Sequence, residues 1–153
     1  GTQTTRDPIY SMTANAHGYN DIGNTYIEVD LSEQHMYYYQ DGSVIFESDI
    51  VSGDMRYADR QTPAGIYTLY YKKSPDVLRG KQLANGKYEY ETKVNYWMPF
   101  NGGIGFHDAS WQPYFGGDRY LEGGSHGCIN MPPDSAAELY NIIQYNVPIV
   151  CFY

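Results

Sequence analysis

The residues able to do chemistry cluster late in the chain. Gly123-Gly124-Ser125-His126-Gly127-Cys128-Ile129-Asn130 sets a thiol beside a serine, a histidine and glycines, and His107-Asp108 and Trp111 come shortly before it. Thiol acyl transfer needs a thiolate, and therefore a base or imidazolium near the cysteine. The base needs a third group to fix its tautomer. Backbone N–H groups must point at the developing oxyanion, and glycine beside the nucleophile leaves room for a close approach. Ser125-His126-Gly127-Cys128 offers these parts in one short run, just before an expected helix start whose dipole would favour a thiolate. Two histidines compete for the role of base. His126 shares a face with Cys128 if the segment is extended and not if it turns; His107 ends a separate strand that the fold can bring alongside. Spacing does not choose between them.

Plainer readings of the same residues are weaker. A free cysteine is usually a buried, inert one, but here glycine, histidine and serine flank it. A disulfide to Cys151, the second of the two cysteines, is disfavoured because Cys151 sits in an apolar run where a small hydrophobe fits. A metal held by His107, His126 and Cys128 lacks a carboxylate or second cysteine at the usual spacing, so no metal and no cofactor is expected. His17 and His35 read as solvated or strand-packing residues, and Tyr37-Tyr38-Tyr39 as sheet. Asp108 follows His107 on a strand, so its side chain points to the opposite face.

The elements that must position these residues are mostly strands. Residues 1–25 are polar, without periodicity, and read as a linker and entry strap to a domain over 26–153. Tyr26–Leu31 alternates, His35–Gln40 follows, and Asp41-Gly42 supplies a tight hairpin turn. Ser43–Ser52 returns as a third strand with Val44, Phe46 and Ile50 on one face. After a loop over 53–64, Ile66–Lys72 reads as strand and 73–87 as a polar surface excursion; residues 73–91 can act as a lid. Tyr88–Phe100 has strand composition interrupted by Asn95 and Pro99, and 102–107 is a short strand whose glycines admit a neighbouring backbone. Pro132–Ile143 has the proline and acid of a helix start, Ser135 and Glu138 at capping-box spacing, and Leu139, Ile142 and Ile143 on one side. Val147–Tyr153 is a buried terminal strand. The expected class is mainly β, with one helix after the motif.

Composition narrows the function. The 153 residues fit one domain with a real core, and 18 Tyr against 5 Phe favour sheet. A net charge of −8 argues against a nucleic-acid partner, which would need a basic footprint. No run has the length of a membrane span and no secretory leader is recognisable at the start. Because the chain opens on Gly1, it reads as a piece of something longer.

The pattern of His107 followed after a loop by Ser125-His126-Gly127-Cys128-Ile129-Asn130 resembles the L,D-transpeptidase catalytic domain of bacterial cell-wall cross-linking. Ile27-Glu28-Val29-Asp30-Leu31, Thr62-Pro63-Ala64-Gly65-Ile66-Tyr67, Asn95-Tyr96-Trp97-Met98 and Pro132-Pro133 extend the likeness over roughly residues 25–153. The resemblance implies a β-sandwich of mixed sheets with the nucleophile between them. It implies Cys128 as the nucleophile, His107 as base, the Ser125 carbonyl orienting the imidazole, the Gly127 and Cys128 amides as oxyanion hole, and His126 lining the site. Trp111 and Tyr114 are expected on an aromatic loop over the substrate groove. Asn130 stands where many relatives carry Arg; it is counted with the substrate-binding residues, hydrogen-bonding without bringing positive charge. The implied reaction takes a peptidoglycan tetrapeptide stem as donor, releases its terminal D-alanine, and passes the acyl group to a side-chain amine of an acceptor stem, a 3→3 cross-link. Carbapenem-type inhibitors are the expected covalent ligands. The protein is expected to act as a monomer outside the cytoplasm, in the cell wall or anchored to the membrane through a missing N-terminal region. Hydrolysis of the same thioester, an L,D-carboxypeptidase activity, and a non-catalytic wall-binding module are the alternatives.

Overall fold

A computed structural model describes residues 25–153; the expected linker over 1–25 lies almost wholly outside the described residues. Among the described residues there are ten strands: β1 Tyr26–Asp30, β2 His35–Gln40, β3 Ser43–Asp49, β4 Gly65–Tyr67, β5 Asp76–Arg79, β6 Glu91–Val94, β7 Trp97–Asn101, β8 Ile104–Asp108, β9 Ile129–Met131 and β10 Ile149–Phe152. Helix α1 is Arg119–Gly123 and α2 is Pro133–Ile142. The expected mainly β class with mixed sheets is what is observed. The short α1, in the loop before the motif, is an addition to the one helix expected.

One sheet runs in the order β3-β2-β1-β10-β4, and a second in the order β7-β8-β9. Each has a single parallel pair, β1 with β10 and β8 with β9, so both are mixed. Ile27, Val29, Met36 and Phe46 from the first sheet meet Met98, Phe106, Ile129 and Met131 from the second, and Ala136, Leu139 and Ile143 of α2 close the cluster. Burying a side chain of this size contributes about 1.5–3 kcal/mol relative to leaving it in water, so this shared layer holds the two sheets together. Strands β5 and β6 pair only with each other, as a separate two-stranded arm.

The β2–β3 turn forms as its residues dictate, with φ of 52° at Asp41 and 85° at Gly42, both in the region a primed turn needs. The face assignment of β3 is corrected. A β-bulge follows that turn, so Tyr38 opposes Phe46 while Tyr39 opposes Val44. Phe46 and Ile50 then enter the shared core, whereas Val44 packs on the other face with Tyr26, Tyr37, Tyr39 and Val150. One extra residue is enough, because side chains alternate with period two.

The start of α2 is also corrected. Its N-cap is Pro132 and no side chain caps it, so the Ser135–Glu138 box does not form. Pro133 at the first helical turn has no N–H to satisfy, and the Ala136 amide donates to the Pro132 carbonyl at 2.9 Å. At the other end the Lys72 ammonium donates to the Tyr140 carbonyl at 2.9 Å and lies 5.1 Å from that ring's centre. A cation beside the last helical carbonyls is worth about 0.3–1 kcal/mol. The expected strand Ile66–Lys72 is shorter, covering Gly65–Tyr67.

Candidate active site

The Cys128 loop is fastened to the 52–62 loop by backbone. The Ser125 amide donates to the Ser52 carbonyl at 2.9 Å, and the Asp54 amide to the Ser125 carbonyl at 3.0 Å. Ser52 is itself fixed by Gln34, a fully buried turn residue whose carboxamide accepts from the Ser52 amide at 3.0 Å and donates to its hydroxyl at 2.8 Å. Within the loop the Ser125 hydroxyl donates to the Cys128 carbonyl at 2.5 Å and accepts from the Gly127 amide at 3.1 Å. Gly127 has φ +128°, a conformation side chains resist. Strand β9 then lies between Cys128 and α2. The expected placement of the thiol at a helix N-terminus is therefore corrected: the chain pairs with β8 before it turns into the helix.

These tethers open a cavity of about 290 Å³. Its walls are Gly124, Ser125, His126, Cys128 and Asn130 from the motif, His107 from β8, Trp111 and Gln112 from the following loop, and Leu78, Tyr90 and Thr92 from the β5–β6 arm. The structure thus brings together six of the eight residues singled out in the sequence. Gly127 is buried behind the wall, where it shapes the loop rather than faces the space. Tyr114 is not brought in: it is about half exposed, its hydroxyl donates to Asp118 at 3.0 Å and Arg119 lies against its ring. The local pull of α1 takes it away from the groove.

His107 is 4% exposed, between the rings of Trp97 and Trp111 at 6.0 and 5.8 Å. Its Nδ1 is 2.8 Å from the carbonyl oxygen of Asp108. A carbonyl only accepts, so Nδ1 carries the proton and Nε2 is the free lone pair. This corrects the orienting group. The Ser125 carbonyl is engaged by the Asp54 amide, and the imidazole is held by the carbonyl of its own neighbour. The Asp108 side chain points to the opposite face, as alternation demands, and accepts from the Asn95 and Tyr96 amides at 2.9 Å each. Burial pulls the His107 imidazole below its ordinary value, partly opposed by the Asp108 hydrogen bond and charge.

Cys128 is partly exposed and Cys151 buried; neither is in a disulfide. The Cys128 thiol lies 3.4 Å from the Gly103 carbonyl. Burial pushes it up to about 11, and a hydrogen bond from the Gly105 backbone works against that rise. Burial thus biases both the thiol and the imidazole toward their neutral forms. His126 is more exposed, its ring packs on Tyr90 at 4.7 Å, and burial followed by the Arg60 charge lowers its proton affinity. Of the two candidate bases, His107 has its tautomer fixed by hydrogen bonding. Asn130 is 1% exposed, and its Oδ1 has no hydrogen-bond partner. Among the described residues no cluster of three or more His, Cys, Asp or Glu is arranged to hold a metal ion.

Sequence reading missed the Asp108 carbonyl and the arm residues Leu78, Tyr90 and Thr92. A backbone acceptor leaves no trace in residue type. The arm left traces: residues 73–91 were readable as a lid and Tyr88–Phe100, which contains β6, as strand, whereas β5 fell in a stretch read as a polar surface excursion.

Comparison with known proteins adds the family. The description "L,D-transpeptidase catalytic domain" (YkuD) fits residues 24–151. No curated protein matches the chain. The chain is similar to the crystal structure of a cysteine-to-serine mutant of Enterococcus faecium L,D-transpeptidase, at 45% identity and a TM-score of 0.77, over 88% of this chain and 52% of that one. It is similar to the catalytic domain from E. faecium L,D-transpeptidase acylated by ertapenem, at 46% identity and a TM-score of 0.70, over 85% of this chain and 98% of that one. Likeness to an L,D-transpeptidase from Mycobacterium smegmatis is 25% in identity with a TM-score of 0.68, over 85% and 59%. The chain spans about half the length of the first of these. With a match over most of its length and these relatives agreeing, the chain belongs to the L,D-transpeptidase catalytic-domain family.

Proposed function

We propose that the chain is the catalytic part of an exported cysteine-dependent L,D-transpeptidase that makes 3→3 peptidoglycan cross-links. The observation that carries this reading is His107 and Cys128 on one cavity, with the imidazole locked by the Asp108 carbonyl so that Nε2 is its basic atom. In the proposed cycle Nε2 takes the thiol proton as Sγ bonds to the carbonyl carbon of the donor stem. The carbonyl electron pair moves to oxygen, where the Cys128 amide meets it. Collapse breaks the C–N bond, and the imidazolium returns its proton to the departing D-alanine amine, leaving a thioester. The acceptor's side-chain amine then attacks. His107 takes the amine proton, the C–S bond breaks, and that proton passes to the thiolate. Trp111 and Asn130 are the proposed substrate contacts, and His126 with Tyr90 shapes the wall. Two structures similar to this chain support covalent acyl-type chemistry: one is of an L,D-transpeptidase catalytic domain acylated by ertapenem, and the other is of an avibactam carbamoyl enzyme.

The test is intact mass after incubation with ertapenem. The chain should gain one inhibitor equivalent and Cys128→Ala none; an adduct on the variant would move the nucleophile elsewhere. Incubation with tetrapeptide stems should then give cross-linked dimer plus D-alanine, whereas tripeptide alone would make the enzyme a carboxypeptidase.

A further inference from the structure

Thr62 lies far from Cys128 in sequence, outside the cavity wall, and is 1% exposed. Its hydroxyl donates to the Gly127 carbonyl at 2.7 Å and accepts from the Gly53 amide at 3.0 Å. Its own carbonyl accepts from the Tyr153 hydroxyl at 2.8 Å. The side chain therefore has both hydroxyl capacities used and its backbone anchored.

The Gly127 carbonyl and the Cys128 amide belong to one peptide unit. That unit is planar and trans, so its C=O and N–H point in opposite directions. Holding the oxygen therefore aims the N–H. Gly127 alone would hold it poorly, since glycine gives its flanking peptide planes more freedom than any other residue. The Gly127 amide is committed to the Ser125 hydroxyl, which leaves the Cys128 amide as the member of the expected pair to meet an oxyanion. Hydrogen bonding to a carbonyl also polarises its peptide unit and strengthens the N–H as a donor.

We infer that Thr62 is a positioning residue for the oxyanion hole, fixing the direction of the Cys128 amide by gripping the Gly127 carbonyl. The inference rests on the proposed acyl transfer by Cys128. Thr62 touches no substrate and moves no proton.

The test compares two reactions of the same thiol. Acylation by ertapenem builds an oxyanion; alkylation by iodoacetamide displaces iodide and builds none. Thr62→Val, which keeps the shape and removes the hydroxyl, should slow acylation on the order of 10-fold, less than the 10²–10³-fold of losing an oxyanion donor outright. Alkylation should stay within twofold, and Thr62→Ser should return acylation to near the wild-type rate. If Thr62→Val does not fold, Thr62→Ala takes its place with the same expected pattern. Acylation at the wild-type rate in the hydroxyl-free variant would overturn the inference, as would an equal fall in both reactions, which would make Thr62 a general support of the loop. Failure of the wild-type chain to acylate at all would instead remove the reading on which the inference stands.

Discussion

His107 and Cys128 are each pushed toward the neutral form by burial, the imidazole below its ordinary value and the thiol up to about 11. A neutral imidazole is competent to accept a proton at neutral pH and loses that competence only as pH falls through its lowered value. The thiol, by contrast, is ionised in advance only at strongly alkaline pH. Iodoacetamide, which needs a thiolate, should therefore react faster with each step in pH from 6 to 9.5, close to tenfold per unit. A plateau beginning below pH 8 would mean a preformed thiolate–imidazolium pair. Turnover should fall on the order of 10²-fold or more in His107→Ala, the usual loss for a general base, and far less in His126→Ala, whose ring packs on Tyr90. Equal losses would reassign the base. The residue types carrying this chemistry were legible because the motif is compact. The Asp108 carbonyl was not, since any residue would provide it, nor was the reach of Thr62 to Gly127, since that contact exists only after folding.

At the scale of elements, the β5–β6 arm borders two separate spaces. The cross-strand neighbours Leu78 and Thr92 face the cavity with Tyr90, while Val77, Arg79 and Lys93 line a separate groove of about 540 Å³. None of the described arm residues joins the core shared by the two sheets. Removing a ring from the arm should therefore affect the site more than the fold. Tyr90→Ala loses its contact with His126 and one cavity wall; an aromatic pair is worth about 0.5–1.5 kcal/mol, so ertapenem acylation should slow about three- to tenfold. The thermal midpoint should barely move. A drop of many degrees would show that the arm is a structural support instead. Hairpin β2–β3 was legible from Asp41-Gly42, because turn chemistry is local. Its bulge was not, since one extra residue leaves the apolar composition unchanged while reversing which face Val44 takes. Of the arm, β6 lay within the strand-like run Tyr88–Phe100, whereas β5 was hard to read because it is short, lies in polar text and pairs only with β6.

Over the whole molecule, the buried titratable groups set the pH range in which the fold is stable. Cys151 is 1% exposed in β10, beside Val29 of β1, and burial pushes its thiol up to about 12. In the unfolded chain the same thiol titrates near its ordinary value. Above that value the unfolded state releases a proton that the folded state keeps, so stability is lost as pH rises, by about 1.4 kcal/mol per unit until the folded value is reached. His107 acts at the other limit. Its folded affinity for a proton is lowered, so below its ordinary value the unfolded chain binds a proton the folded chain refuses, and stability is lost as pH falls. The thermal midpoint should thus be flat from roughly pH 6.5 to 8.5, the span between unperturbed imidazole and thiol, and decline on both sides. Cys151→Ala removes one titrating thiol from the alkaline limb. Its midpoint should start lower, because a small cavity replaces the sulfur, yet fall less steeply between pH 9 and 10.5. The slope is the informative quantity, since packing loss shifts the whole curve while proton linkage tilts it. Parallel slopes in the two proteins would mean that the Cys151 thiol ionises in the folded chain as readily as in the unfolded one, and that the sheet interior at β10 is open to water.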